Sequence, residues 1–159
     1  MVAAFGALIA GQLSDAIGRR KVVLLASVIF MVGAVGMACS FGFWSLLSGR
    51  IVTGIGIGIG LVLAPLYTAE LSPVPMRGKL VSVGEVAINV GILLGYSSNL
   101  AFSGLPDGIA WRVMLGLGAV PAVVLFVGVL LLPESPRWLV AQGRREEAIE
   151  VLDQAAYSQ

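Results

Sequence analysis

Histidine is missing from the 159 residues, and cysteine occurs once, at Cys39. The first absence removes the commonest zinc ligand and the side chain that titrates nearest neutrality; the second excludes an internal disulfide framework. Charge is scarce. Ten Lys and Arg stand against nine Asp and Glu, a net of +1, so no acidic or basic bias marks out a nucleic acid as partner. No low-complexity linker and no soluble second domain interrupts the chain. Residues 1–13 lack the basic lead and the cleavage site of a signal peptide. No nucleophile, base and metal-ligand constellation can be assembled, so the chain does not read as an enzyme and calls for no resident cofactor.

What is present is apolar surface. Apolar residues make up 58% of the chain and charged ones 12%, and the mean hydropathy is +0.97. A soluble chain of this length could not hide so much apolar area. Four stretches reach the roughly 20 residues that a bilayer-crossing helix needs, at about 22–43, 46–68, 79–101 and 112–132. The stretch before Asp15 is half to two-thirds of a span and reads as the tail of a helix. The expected fold is therefore all-α, an integral membrane helical bundle over 1–132. Glycine within these spans points to close helix packing, because in lipid the backbone bonds internally and small residues let neighbours approach.

Lys and Arg fall in alternate connections: Arg19, Arg20 and Lys21; Arg77 and Lys79; Arg137, Arg144 and Arg145. By the positive-inside rule these connections are cytoplasmic, which puts the start of the chain outside and its end inside. A start outside with no upstream signal implies an earlier helix that the sequence does not contain. After Pro133 the pattern changes. Arg144, Glu146, Glu147, Glu150 and Asp153 fall on one side of a pattern and Ala148, Ile149, Val151, Leu152 and Ala155 on the other, so 133–159 is expected to begin an amphipathic helical segment on the cytoplasmic surface.

Few polar groups lie inside the spans. The run GRIVTGIGIGIG at 49–60 has the spacing of a dinucleotide loop only loosely, and it sits in an apolar span without a preceding strand, so Gly54, Gly56, Gly58 and Gly60 are expected to pack helices. Arg50 is expected to be buried and paired, the alternative being a side chain that snorkels to the interface. Between 79 and 101, Ser82, Glu85, Asn89 and Tyr96 share one helical face beside a stripe of Gly84, Ile88, Gly91 and Gly95. Glu85, about two turns into its span, is costly there unless it faces a cavity or a partner. The remaining charges cluster near helix ends as Asp15, Arg19 and Arg20; Glu70 and Arg77; Glu134 and Arg137. These fit either a conformational ion-pair lock or a set of weak solvated pairs.

DAIGRRK at 15–21, GRIVTGIGIG at 49–58, YTAELSPVPMRGKL at 67–80 and PESPRWL at 133–139 occur together and in order. The chain thereby resembles the sugar-porter family of the major facilitator superfamily, over essentially its whole length. GEVAINVGILLGYSSNLAF at 84–102 and WRVMLGLGAVPAVVL at 111–125 further resemble the plant polyol and monosaccharide transporters. The resemblance implies that the chain runs from within the second helix to the sixth and into the intracellular helical segment, leaving the first helix and the second six-helix half outside it. It implies proton-coupled transport of a polyol or sugar by alternating access. Glu85 and Asn89 would then contact substrate, Arg50 would sense protonation of an acid on the first helix, and the cytoplasmic pairs would gate. Glu85 stands where the family commonly has glutamine, which leaves the substrate open. The implied partners are a small polyol or sugar, the lipid bilayer and the missing transporter half, with no nucleic acid; the implied coupling ion is the proton. An expectation of another class is a non-transporting fragment, or a membrane partner of intact transporters.

Overall fold

The computed structural model describes residues 2–73, 75–104 and 106–157, and among these every regular element is helical. The chain runs α1 (Val2–Ile17), α2 (Arg19–Ala38), α3 (Phe43–Leu71), α4 (Arg77–Ala101), α5 (Asp107–Leu117), α6 (Ala119–Leu130), α7 (Pro136–Ala141) and α8 (Arg145–Tyr157). By length and composition, four helical stretches can cross a membrane: Arg19–Ala38, Phe43–Leu71, Arg77–Ala101 and Ile109–Leu130. This is a multi-pass membrane bundle.

The element boundaries depart from the sequence reading in three instructive places. Arg19, Arg20 and Lys21, read as a connection, form the first turn of α2. Gly18 alone makes the turn, with φ of +108°, a conformation open to glycine and strained for other residues. The expected span at 112–132 stands as one membrane-length stretch, Ile109–Leu130, locally interrupted at Gly118, where Pro121 has no N–H to offer the carbonyl of Leu117. The tail is two helices, broken at Gly143, whose φ is +78°. Ala148 of α8 packs on Trp138 and Leu139 of α7 with Val151 beside it, while Ile149 and Leu152 stay exposed. The last residues of the expected tail, Ser158 and Gln159, and Met1 at the start lie outside the described residues.

At the centre α2 packs along α3, α1 lies on the other side of α3, and α5 and α6 run antiparallel beside α2. The core joins Ala10 of α1, Val22, Val23 and Ala26 of α2, Ile59, Leu63 and Tyr67 of α3, and Val129 of α6. Glycine sets the closeness. A Cβ on Gly56 would come within 2.9 Å of the Ala26 carbonyl oxygen, and one on Gly33 within 2.7 Å of the Thr53 nitrogen. A Cβ on Gly6 would come within 2.6 Å of the Ile55 carbonyl oxygen, and one on Gly58 would strike the backbone of Ala3. Of the four glycines expected to pack, Gly56 and Gly58 make close approaches. Gly54 makes only ordinary contact with Val2, and Gly60 meets nothing among the described residues.

α4 is different. None of its residues is buried; only Arg77, Val81 and Ser98 are even half-buried, near its two ends. The stripe of Gly84, Gly91 and Gly95 meets no neighbour among the described residues, so its expected packing role is not realised in this chain.

These contacts make a sharp comparison. Gly58→Ala should force α1 and α3 apart and lower stability in detergent by about 1–3 kcal/mol, the usual cost of overpacking a tight interface. Gly60→Ala, facing open space, should leave the unfolding midpoint unchanged or slightly raised; equal losses for the two would mean that the approach of α1 is not what the glycine serves.

Candidate functional site

Two regions hold the polar groups singled out by the sequence. The first is the basic end of the bundle, where α1 ends, α2 starts, α3 ends and α6 runs into α7. Arg19 bridges the first three elements. Its Nη1 lies 2.6 Å from Asp15 Oδ1 and its Nε 3.3 Å from Glu70 Oε2, while Nη1 also donates to the Ser14 carbonyl at 3.0 Å. The Glu70 side chain is only 5% exposed, so its charge must be compensated on the spot. Besides Arg19, it accepts a short hydrogen bond from Ser135 Oγ, which is itself fully buried. Ser135 caps α7, accepting from the Trp138 N–H at 3.4 Å, and Trp138 Nε1 donates to the Asp15 carbonyl at 3.0 Å. Asp15, Arg19, Glu70, Ser135 and Trp138 thus form a closed ring of polar contacts around one point.

A second set of contacts crosses between α2 and α6. Glu134 Oε1 accepts from the Arg20 backbone N–H at 2.9 Å, in the first turn of α2, and from the Ser135 N–H at 3.0 Å. The N–H groups of a first helical turn have no intrahelical partner, and a carboxylate suits the positive end of the helix dipole. Arg20 returns the favour. Its Nη2 donates to the Leu130 carbonyl at 2.7 Å and its Nε to the Val129 carbonyl at 3.3 Å, supplying a cation to the negative end of the α6 dipole. Tyr67 adds a short hydrogen bond from its hydroxyl to the Pro133 carbonyl. Gly18 leaves room for this arrangement: a Cβ there would lie 2.5 Å from Glu134 Oε2.

The sequence pairings are therefore partly redrawn. Asp15 does meet Arg19. Glu70 pairs with Arg19 and Ser135, not with Arg77, which is half-buried and has no carboxylate within ion-pair distance among the described residues. Glu134 holds backbone N–H groups in place of Arg137, which is exposed. Spacing along the chain favours partners one helical turn away, whereas these carboxylates are met by groups from helices far off in sequence.

The second region is the middle of α4. Glu85, the ninth residue of that helix, lies roughly 12 Å along it at 1.5 Å per residue. It is exposed, and it lines a cleft of about 530 Å3 between α4 and the α2, α3, α6 wall. The lining is almost wholly apolar, with Phe30, Gly56, Pro65 and Leu125 on the wall and Thr68 as one of few polar groups. Asn89 does not line this cleft; its Nδ2 donates to the Glu85 carbonyl at 2.9 Å. Arg50, expected to be buried and paired, is instead exposed in the first half of α3, with no carboxylate within ion-pair distance among the described residues. The face of α3 that carries it is not covered by α1 or α2, which explains the difference. The structure does not bring Arg50 and Glu85 into contact.

Tyr67, Ser135 and Trp138 were missed as individual residues by sequence reasoning. Ser135 and Trp138 lie within PESPRWL, so their motif was visible while their partners were not.

The sequence matches the family described as Sugar (and other) transporter over residues 1–159. It is 55% identical over 153 residues to polyol transporter 5 of Arabidopsis thaliana, covering 96% of this chain and 28% of that protein. It is 49% identical over 151 residues to the D-xylose transporter of Levilactobacillus brevis, covering 95% of this chain and 33% of that protein. The fold matches the partially occluded, inward-open xylose transporter XylE from E. coli with a TM-score of 0.89 at 31% identity, over 96% of this chain and 41% of that one. The chain thus spans about a third or less of the length of these curated relatives.

The basic-end geometry predicts a selective loss. Glu134→Ala strands the N–H groups of Arg20 and Ser135 and should detach α7, seen as a red shift of Trp138 emission and faster amide exchange over 135–141. The cost should be about 1–3 kcal/mol, with Arg137→Ala near neutral. Equal exchange in the two variants would refute the capping role of Glu134.

Proposed function

The chain belongs to the sugar transporter family, whose members are transporters and not enzymes, and from that premise we propose that it forms part of a proton-coupled symporter of polyols or monosaccharides working by alternating access. The observation that carries the substrate assignment is Glu85, a carboxylate about two turns into a membrane-length helix, lining an almost wholly apolar cleft in the bundle. Two carboxylate oxygens offer up to about four acceptor sites, which suits a ligand rich in hydroxyl donors and disfavours an anionic one. Asn89, one turn on, would leave the Glu85 carbonyl to add a donor and an acceptor toward the same ligand. The names of the relatives, a polyol transporter and a xylose transporter, support this substrate class.

In the proposed mechanism the basic end faces the cytoplasm of a cell whose plasma membrane holds the transporter. The ring around Glu70 keeps α1, α2, α3 and α7 together as one body. Arg77 and Arg137, which the ring does not use, would bridge to the other transporter half when the inner gate is closed and release it when the gate opens. Arg50, exposed on α3, would face an acidic group on a helix beyond this chain and report its protonation. The proton is the proposed coupling ion, and the second half of the transporter is the partner that completes the site.

Uptake by the complete transporter carrying Glu85→Ala tests the assignment. Loss of a charge-assisted hydrogen bond should raise KM for the polyol about ten-fold or more. Glu85→Gln, which keeps an acceptor, should cost less. Unchanged KM and unchanged pH dependence in Glu85→Ala would remove Glu85 from the site.

A further inference from the structure

α2 and the α5–α6 stretch are tied at both ends, and the two ties have the same form. At the basic end, Arg20 near the start of α2 donates to the last carbonyls of α6. At the opposite end, Arg112 in the middle of α5 donates from Nη2 to the Ser40 carbonyl at 3.1 Å, just beyond the end of α2. Each helix therefore places a guanidinium on the negative end of its antiparallel neighbour. Arg112 is held further by aromatic faces, with its guanidinium carbon 5.5 Å from the centre of the Phe41 ring and 5.1 Å from that of Trp111. Phe41 is 93% exposed, so it contributes little to the core and stands as a plate beside the arginine.

α4 is the least anchored of the membrane-length helices. With no buried residue of its own, α4 packs chiefly on α3 and, more slightly, on α5. Its far end is half-buried only at Ser98, and it passes through a short connection into α5. α5 in turn rests on α2, with Arg112 as the polar contact between them. We propose that Arg112 is a positioning residue: by fixing α5 to the end of α2, it sets where the far half of α4 stands, and with it the width of the cleft that Glu85 lines. The consequence for transport rests on the function proposed above, but the placement of α4 does not.

Spin labels on the purified chain in lipid nanodiscs test this without substrate, and so apart from any failure of the transport reading. The single native Cys39, exposed at the end of α2, takes one label, and Leu100→Cys, 79% exposed in the last turn of α4, takes the other. A second pair, Ile17→Cys with Met76→Cys in a Cys39→Ser background, reports the basic end. Arg112→Gln should broaden the Cys39 to Leu100 distance distribution to roughly twice its width by freeing one end of the helix, while the Ile17 to Met76 distribution stays as it was. Arg112→Lys, which keeps a cation over Phe41 and one donor for the Ser40 carbonyl, should restore part of the narrowing. An unchanged Cys39 to Leu100 distribution in Arg112→Gln overturns the proposal. So does equal broadening of both pairs, which would make Arg112 a general stabiliser.

Discussion

A carboxylate removed from water has to be met where it stands, and the burial of Glu70 at the end of α3 is the constraint from which the basic end of the molecule follows. Its charge draws Arg19 inward, and Arg19 brings the end of α1 with it through Asp15 and the Ser14 carbonyl. Its remaining lone pairs accept from Ser135, which fixes the start of α7. Breaking one partner of such a group leaves an uncompensated charge, so the contacts act together and not as separable pairs. The junction of α1 and α2, the end of α3 and the start of α7, three places remote in sequence, are thereby registered at one point.

Helix ends are finished by the same economy. The first turn of α2 takes an anion from Glu134 and gives a cation, Arg20, to the end of α6. Between the ends, glycine lets α1 and α2 approach the α3 backbone closely enough for dispersion contacts to hold the helices, as apolar burial gives no advantage over lipid. Rigid packing is thus concentrated in α1, α2, α3 and α6. α4 carries the carboxylate proposed to meet substrate yet belongs least to that body.

The helices were legible in the sequence because membrane-length hydropathy is a strong signal, and the all-helical membrane fold followed from it. Their ends were less so. One glycine, Gly18, makes a whole connection, and three basic residues that looked like a loop form a helical turn, since charge at a membrane boundary marks either. Pro121 puts a local interruption at Gly118 into a span whose extent composition had marked. The site was legible in its residue types and not in its pairings. Asp15 and Arg19, one turn apart, were paired correctly because α-helical spacing brings them together. The partners of Glu70 and Glu134 come from across the bundle, where spacing says nothing. Gly56 and Gly58 were packing glycines as expected, against α2 and α1, but Gly60, one turn beyond Gly56, lines the open cleft beside α4 and packs on nothing among the described residues.

The segment that closes the polar ring, residues 133–139, follows the four membrane-length stretches described here in chain order. During synthesis Glu70 and Arg19 leave the ribosome long before Ser135 and Trp138 do. Until then α3 ends in a carboxylate with one cation, and the first turn of α2 lacks its anion. The basic end is closed only once the short motif after Ile109–Leu130 has been made, so that motif registers the placement of the helices that precede it here.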